Sequence, residues 1–371
     1  MNIIVVGAGA IGCYMGGRLA AAGERVTLVG RPRTTEPLAL SGLTVTDMQG
    51  YKAHVEADIE ADIKADIKPD LASPTLSIAS SLKLAYSSNA NETNKTNKTN
   101  KTNNTNETTV VLLCVKGGAT GAAAQEIADC CPAGTVIVSL QNGVDNVARI
   151  AKVAPQMTAL AGMVPYNVVM KTATHVHRAT MGQIYIESSE STQELIGKLV
   201  AKFNAAGLKA AASSEMRSVQ WGKLLLNVNN PINALSDLPL REQLLNRDFR
   251  YVFATLQLEA LTAMKKAGIE PKQLAAVKPH IMPLLLKLPN WIFTRVAKKM
   301  LRMDASARSS MWDDVQQGRV TEIDDLCGAV VRLAQQVGTP APCNAKMCQL
   351  MSAHTKGHRF TGRELRKALG I

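Results

Sequence analysis

The chain has 371 residues, 42 Lys and Arg against 30 Asp and Glu (net charge +12), 46% hydrophobic residues and 19% charged ones. This balance excludes a disordered chain, and the length allows two domains with cores of their own. No apolar run reaches the roughly 20 residues of a membrane helix, and with 4% aromatic residues and no nucleic-acid motif the basic excess points to anionic small ligands rather than nucleic acid.

Ile3 to Val6 is a β-branched run that predicts a buried parallel strand. It leads directly into Gly7-Ala8-Gly9-Ala10-Ile11-Gly12, a G-x-G-x-x-G, then a small and apolar helix to Ala22, Gly23 as its stop, and a second strand at Val26 to Val29. Strand, glycine turn, helix and strand in this order form a dinucleotide site. Gly7 allows the tight turn, Gly9 lets the backbone approach the pyrophosphate, and Gly12 lets helix and strand pack closely. After the second strand an NAD site places an acid for the ribose 2′-OH. Here Gly30 is followed by Arg31, Pro32 and Arg33. An arginine accommodates a 2′-phosphate, so the cofactor read from these residues is NADPH/NADP+.

Leu43 to Thr46 is compatible with a strand, and two low-complexity insertions follow, at about 52–70 (the ADIE-ADIK-ADIK repeat) and 89–109 (N-x-T repeats). The N-x-T repeat itself, 91–108, has no apolar residue to bury, which predicts a disordered surface loop. Its N-x-T units are glycosylation sequons only in a secreted chain, and the N-terminus has no basic leader. Val110 to Val115 is a central strand with Lys116 at its carboxyl end, where doubly wound sheets bind ligands. Thr120 to Ala128 is read as a helix, and Thr135 to Leu140 as a strand ending in Gln141-Asn142-Gly143. Further strands are expected at 157–164, 182–187 and 208–211, with a helix at 194–203. The alternation stops near Ser213.

Beyond it the pattern is helical: 219–229, 249–267, 309–317 and 323–337, with a proline-rich connection at 279–289. The fold class is therefore an α/β N-terminal Rossmann domain (doubly wound, mostly parallel sheet) followed by an all-α C-terminal domain. The expected limits are 1–213 and 214–352, with 353–371 as a basic tail. Seven cysteines, an odd number and several within apolar runs, favour free thiols in a reducing compartment. Cytoplasmic location is the corresponding expectation. None has zinc-site spacing, so no metal is expected.

The helical half carries Trp221-Gly-Lys223-Leu-Leu-Leu-Asn227-Val-Asn229-Asn230-Pro231. On one continuous helix Lys223, Asn227 and Asn230 share a face, at i, i+4 and i+7. One cation and two amides suit a substrate with a carboxylate and a carbonyl. Asparagine is a poor helix former, so its repeated use here favours a functional reading over a merely polar face. A second cluster runs from Arg308-Ser309-Ser310-Met311-Trp312 to Thr321-Glu322-Ile323-Asp324. Its hydroxyls are equally explained as helix caps or as ligands.

Taken together, these pieces resemble the ketopantoate reductase (2-dehydropantoate 2-reductase) family, in family order over nearly the whole chain outside 47–109 and the residues after Ser352. The resemblance implies an NADP-dependent oxidoreductase that transfers hydride to the C2 carbonyl of a 2-oxo acid, the partner being that small molecule. It implies that Gly7, Ala8, Gly9, Ala10, Ile11 and Gly12 hold the pyrophosphate, and that Arg31 and Lys116 hold the 2′-phosphate side. Asn142 would lie near the nicotinamide ribose and substrate. Lys223 would be the general acid, and Asn227, Asn230 and Ser310 would be substrate ligands. Glu322 would orient substrate and lysine and touch the cofactor. Family members often carry Asn three residues before the Ser310 position, where this chain has Ala307. Alternatives are a reductase of another 2-oxo acid on the same scaffold and a non-catalytic NADP-binding regulator. A homodimer is left open.

Overall fold

A computed structural model describes residues 1–59, 75–85, 108–298, 300–301, 304 and 307–371. It divides into two compact units, Met1–Gln141 with Asn146–Met216, and Asn142–Asp145 with Arg217–Ile371.

The first unit contains β1 (Asn2–Val6), α1 (Ala10–Ala21), β2 (Val26–Val29), α2 (Pro32–Ser41), β3 (Leu43–Asp47), β4 (Lys52–Ile59), β5 (Thr75–Ala79) and β6 (Thr109–Leu113). It continues with α3 (Thr120–Cys130), β7 (Val136–Ser139), α4 (Asn146–Val153), β8 (Thr158–Met163), β9 (Val168–Thr172), β10 (His175–Arg178), β11 (Ile184–Glu187), α5 (Gln193–Ala205) and β12 (Ala210–Ser213). Among the described residues the strands form one sheet in the order β12-β11-β8-β7-β6-β1-β2-β5-β4-β3-β10-β9. From β8 to β4 every pairing is parallel. Antiparallel pairings appear only towards the two edges, at β11/β8, β3/β4 and β10/β9.

The parallel strands are apolar throughout because both faces are covered. Along β1, Ile3 and Val5 enter one core with Tyr14, Met15 and Leu19 of α1, while Ile4 and Val6 enter the other with Ala124 and Ile127 of α3. The chain order reverses between β1 and β6, the position where doubly wound sheets place their ligand site.

A charged network lies inside this unit. Arg18 of α1 and Arg178 of β10 both reach Asp47 Oδ2, at 3.3 and 2.7 Å, and all three residues are buried. Arg18 also donates to the Ala206 carbonyl through Nε and Nη2, at 2.9 and 2.6 Å. Burial alone would raise the Asp47 carboxyl. The backbone N–H groups of Tyr51 and Gln49 and the two guanidinium groups outweigh that and hold it below the usual carboxylate range.

Three sequence expectations change here. Residues 52–59 of the first expected insertion are strand β4, with Val55 in the core. The Asp47 side chain builds the turn before it, accepting from Gln49 N and Tyr51 N. The rest of that insertion to residue 70, and the N-x-T repeats at 91–108 except the last residue, Thr108, lie outside the described residues. The unit boundary falls at Met216, and Asn142–Asp145 group with the second unit rather than the first.

The second unit is helical: α6 (Met216–Asn227), α7 (Asn230–Ser236), α8 (Leu240–Leu245), α9 (Arg247–Lys266), α10 (Met282–Lys287), α11 (Asn290–Val296), α12 (Ser310–Gln316), α13 (Ile323–Gln336), α14 (Pro342–Ser352) and α15 (Gly362–Leu369). The expected connection at 279–289 contains α10. Arg250 pins it: the buried guanidinium donates to the carbonyls of Leu286 and Leu288 at 2.9 and 2.8 Å and stacks on Phe293. Residues 353–371 are not a solvated tail. Their helix α15 has a Thr361/Glu364 capping box and buries Leu365 and Leu369 in the core. No described helix is long and apolar enough to cross a membrane.

Asp47→Ala leaves two buried guanidinium groups without their carboxylate. The expected loss is about 3–5 kcal/mol in a urea unfolding curve at pH 7. In the wild-type protein this contribution is complete above the usual carboxylate pKa and disappears only as pH falls through the depressed native value. A loss below 1 kcal/mol in the variant would contradict this account.

Candidate functional site

The residues predicted to hold the pyrophosphate and the 2′-phosphate lie in the first unit, after β1, β2 and β6, whereas Asn142 and Glu322, also predicted to touch the cofactor, belong to the second. Gly7 has φ +112°, and a Cβ there would stand 2.8 Å from the backbone of Cys114 and Val115. A Cβ at Gly12 would collide with the Gly7 carbonyl oxygen. Both glycines are therefore demanded by the protein's own packing. Gly9 differs: its φ is −86°, which any residue adopts, and a Cβ would meet no protein atom within 4 Å. Gly9 is also the N-cap of α1, supplies no side-chain cap, and no acid stands in the first turn. An N-terminus of this kind fits a pyrophosphate, whose charge the amides and the helix dipole favour.

Arg31 is exposed at the N-cap of α2, its carbonyl accepting from Thr34 N at 2.8 Å and Thr35 N at 3.1 Å. Lys116 is exposed after β6, at the start of a one-turn 3-10 helix, Gly117–Ala119. The loop behind it is held by Gln141, which sequence reading singled out only as a polar strand end. Gln141 donates to Val115 O and Thr120 Oγ1, at 2.9 and 2.7 Å, and accepts from Ser139 Oγ at 2.8 Å. Burial pushes the Cys13 thiol beside this turn up to about 12 and raises Cys114 as well, so neither is a ready nucleophile.

The predicted substrate and catalytic residues lie in the second unit. Three of them form one hydrogen-bonded chain: Asn227 Nδ2 donates to Asn142 Oδ1 at 3.3 Å, and Asn142 Nδ2 donates to Glu322 Oε2 at 3.0 Å. The Asn142 amide is thus fixed at both ends. Its loop is anchored by Asp145, whose Oδ2 takes Arg332 Nε and Nη2 at 3.1 and 2.5 Å. Sequence reading missed this pair, since 187 residues separate its members.

Lys223 stands one turn before Asn227 on α6 and is half-buried. Loss of hydration lowers its ammonium pKa to about 8. The group remains mostly protonated at neutral pH, yet its proton is easier to give up than that of an exposed lysine.

The helical face predicted through Asn230 is broken. Helix α6 ends at Asn227, residues 228–229 form a turn, and Asn230 opens α7. Pro231 is the cause, because it has no N–H to give the Asn227 carbonyl and is tolerated only in the first turn of a new helix. The break turns Asn233 inward, where it is fully buried and accepts from Ser309 N at 2.8 Å. Ser309 Oγ in turn donates to Asn230 O at 3.3 Å and accepts from Trp312 N at 3.2 Å. Ser309 is therefore the helix cap and Ser310 the first residue of α12. Ala307, at the position where an asparagine was expected, has its carbonyl bonded to Leu240 N. No group of three or more His, Cys, Asp or Glu among the described residues is placed to hold a metal.

Comparison with known proteins agrees across both units. Residues 3–191 match the family model described as ketopantoate reductase PanE/ApbA, and residues 215–355 match its C-terminal counterpart. A 2-dehydropantoate 2-reductase of Pyrococcus horikoshii is 25% identical over 355 residues, covering 95% of this chain and 97% of that one. The crystal structure of a PanE/ApbA family ketopantoate reductase from Ralstonia eutropha aligns with a TM-score of 0.71 and 24% identity over the whole of both chains. The ternary structure of D-mandelate dehydrogenase with NADH and anilino(oxo)acetate aligns over the same extent with a TM-score of 0.69 and 17% identity. These likenesses to solved structures show the shared fold.

The glycines make separable predictions. Gly9→Val should leave the thermal midpoint unchanged and weaken binding of a reduced nicotinamide dinucleotide at least about tenfold, or ~1.4 kcal/mol, in a fluorescence titration. Gly12→Ala should lower the midpoint itself. Full nucleotide affinity in Gly9→Val would mean that the open space at this turn is not where the pyrophosphate binds.

Proposed function

The chain belongs to the ketopantoate reductase family, and from that premise we propose that it reduces 2-dehydropantoate (ketopantoate) to pantoate with NADPH, the reductive step of pantothenate synthesis. The observation that carries this reading is the hydrogen-bonded chain Glu322–Asn142–Asn227, with the partly desolvated Lys223 one helical turn from its end.

Bound NADPH would supply the hydride to the C2 carbonyl. As hydride arrives, negative charge grows on the carbonyl oxygen, and the Lys223 ammonium stabilises it and delivers the proton. Asn227, Asn230 and Ser310 would hold the 2-oxo acid, and Glu322 would orient Asn142 and the substrate hydroxyl through its acceptor oxygens. The Gly7–Gly12 turn would hold the pyrophosphate, and Arg31 and Lys116 the 2′-phosphate.

Ala307 favours a second substrate reading. A methyl group cannot supply the amide often found at this position in the family, so a 2-oxo acid that lacks the matching polar group would lose nothing here. A panel of 2-oxo acids against ketopantoate, followed by loss of nicotinamide absorbance, decides between the two.

Lys223→Ala should lower kcat by roughly 100-fold or more, the ordinary scale of a general acid. For the wild-type enzyme kcat/KM should be flat below the Lys223 pKa and fall as pH rises through about 8, because the acid must carry its proton. Unaltered turnover in Lys223→Ala would remove it from the mechanism. Arg31→Ala should raise KM for NADPH by about tenfold or more while changing KM for NADH little, in line with the loss of a charged hydrogen bond. Equal changes for both would sink the 2′-phosphate assignment.

A further inference from the structure

The C-terminal segment beyond Ala353 ties together the two short helices on which the proposed substrate ligands stand. Asn230 opens α7 and Ser310 opens α12, so both candidates lie at helix N-termini. At those ends the helices are joined through Ser309, by its bonds to Asn233 and Asn230. Asp237, at the C-terminal end of α7, makes a second link, to the first turn of α12. Its Oδ1 accepts from Trp312 Nε1 of α12 at 2.6 Å and from Arg308 Nη1 at 3.3 Å, and Arg308 stacks on the Trp312 ring at 4.2 Å.

Asp237 is the sole non-glycine residue with positive φ among the described residues, at +52°. It is the C-cap of α7, where glycine or asparagine would relieve the backbone. A carboxylate is kept there nonetheless, and it carries three polar contacts. The third comes from the C-terminal segment: Arg359 Nη2 reaches Asp237 Oδ2 at 2.7 Å. The same segment donates Phe360 N to Leu235 O near the end of α7, at 2.9 Å, and Lys356 Nζ to Gln316 O at the end of α12, at 2.8 Å. Lys356 and Arg359 thus set cations at the C-terminal ends of both helices, the ends that favour positive charge. The helix that follows, α15, anchors this strap by Arg366 to Asp248, at 2.9 Å, and by Leu365 in the core. The match to the family model ends at residue 355, just before this strap.

We infer that Asp237 is a positioning residue and that the 356–360 strap, acting through it, sets the spacing of Asn230 and Ser310 and so tunes the affinity for the 2-oxo acid. This rests on the proposed reading of those two residues as substrate ligands. Neither Asp237 nor Arg359 touches substrate in this account. Asp237 works by tying the C-terminal end of α7 to the first turn of α12, and Arg359 by holding the Asp237 carboxylate in place. Arg359 is two-thirds exposed, which makes its contribution modest and sensitive to salt.

The test uses the full chain with Asp237→Asn, which suits a left-handed backbone, and the double variant Lys356→Met/Arg359→Met. Amide hydrogen exchange is read over 230–236 and 309–316, and kinetics are read in the same samples. Exchange in both segments should quicken roughly fivefold, the scale of a partly exposed ion pair. KM for the 2-oxo acid should rise by a similar factor, with kcat and KM for NADPH within about twofold. In 0.5 M NaCl the wild-type protein should approach the double variant.

Unchanged exchange in both variants overturns the strap, whatever the activity. Faster exchange with an unchanged 2-oxo acid KM overturns the link to substrate. Equal rises in both KM values would show a general loosening and overturn positioning. If wild type turns over no 2-oxo acid, the functional reading fails by itself, and exchange still decides whether the strap holds the two helices.

Discussion

A single missing hydrogen bond organises the second unit. Pro231 has no N–H to give the carbonyl of Asn227, so the helix that carries Lys223 cannot run on. Had it continued, Asn230 would stand one turn beyond Asn227 and Asn233 would point along the same stripe. Instead the chain turns at 228–229 and starts again. Asn227 is left at a helix end, where it meets Asn142, and Asn233 is directed into the interior, where it meets Ser309. The Ser309–Trp312 segment is in register with the new helix only because that helix begins where it does.

The two units handle charge differently. In the first, charge is paired inside the core: Asp47 answers Arg18 and Arg178 and joins α1 to β3 and β10. In the second, the interior polar groups around the candidate site are mostly neutral amides. Asn142, Asn227, Asn229, Asn233 and Gln243 exchange hydrogen bonds without adding charge, and Gln243 Nε2 donates to Asn229 Oδ1 at 2.7 Å. Amides donate and accept at once, so such a chain fixes orientations while leaving the local field to Lys223 and Glu322.

Much of this was legible in the chain. The β-branched runs at 3–6, 26–29 and 110–115 and the glycine turn between the first two are local signals, and the structure puts each where its period requires. The amide candidates Asn227 and Asn230 stood out because asparagine is costly in helices, and the roles of the other substrate-site candidates came from the family resemblance. What could not be read was long-range. Arg18 looks like a stray charge in a small-residue helix, and its partner lies 29 residues on and its second guanidinium neighbour 160 residues away in sequence. The helix at 282–287 was hidden by its prolines and needs the Arg250 clamp to be understood. Strand β4 is obscured in sequence because its last residues, from Ala57, are also the start of the tandem repeat.

The half-buried ammonium of Lys223 also links catalysis to folding. In an unfolded chain this lysine titrates near the ordinary lysine value of 10.5, and burial lowers it to about 8 in the native protein. Below 8 both states hold the proton, and the native state bears the full cost of a poorly hydrated cation. Between the two values the unfolded chain binds more protons, so this residue's contribution to stability rises with pH. The proposed chemistry runs the other way, since the acid is lost over the same interval. A lysine made labile enough to give its proton is therefore also a fixed thermodynamic burden throughout the pH range in which it is useful.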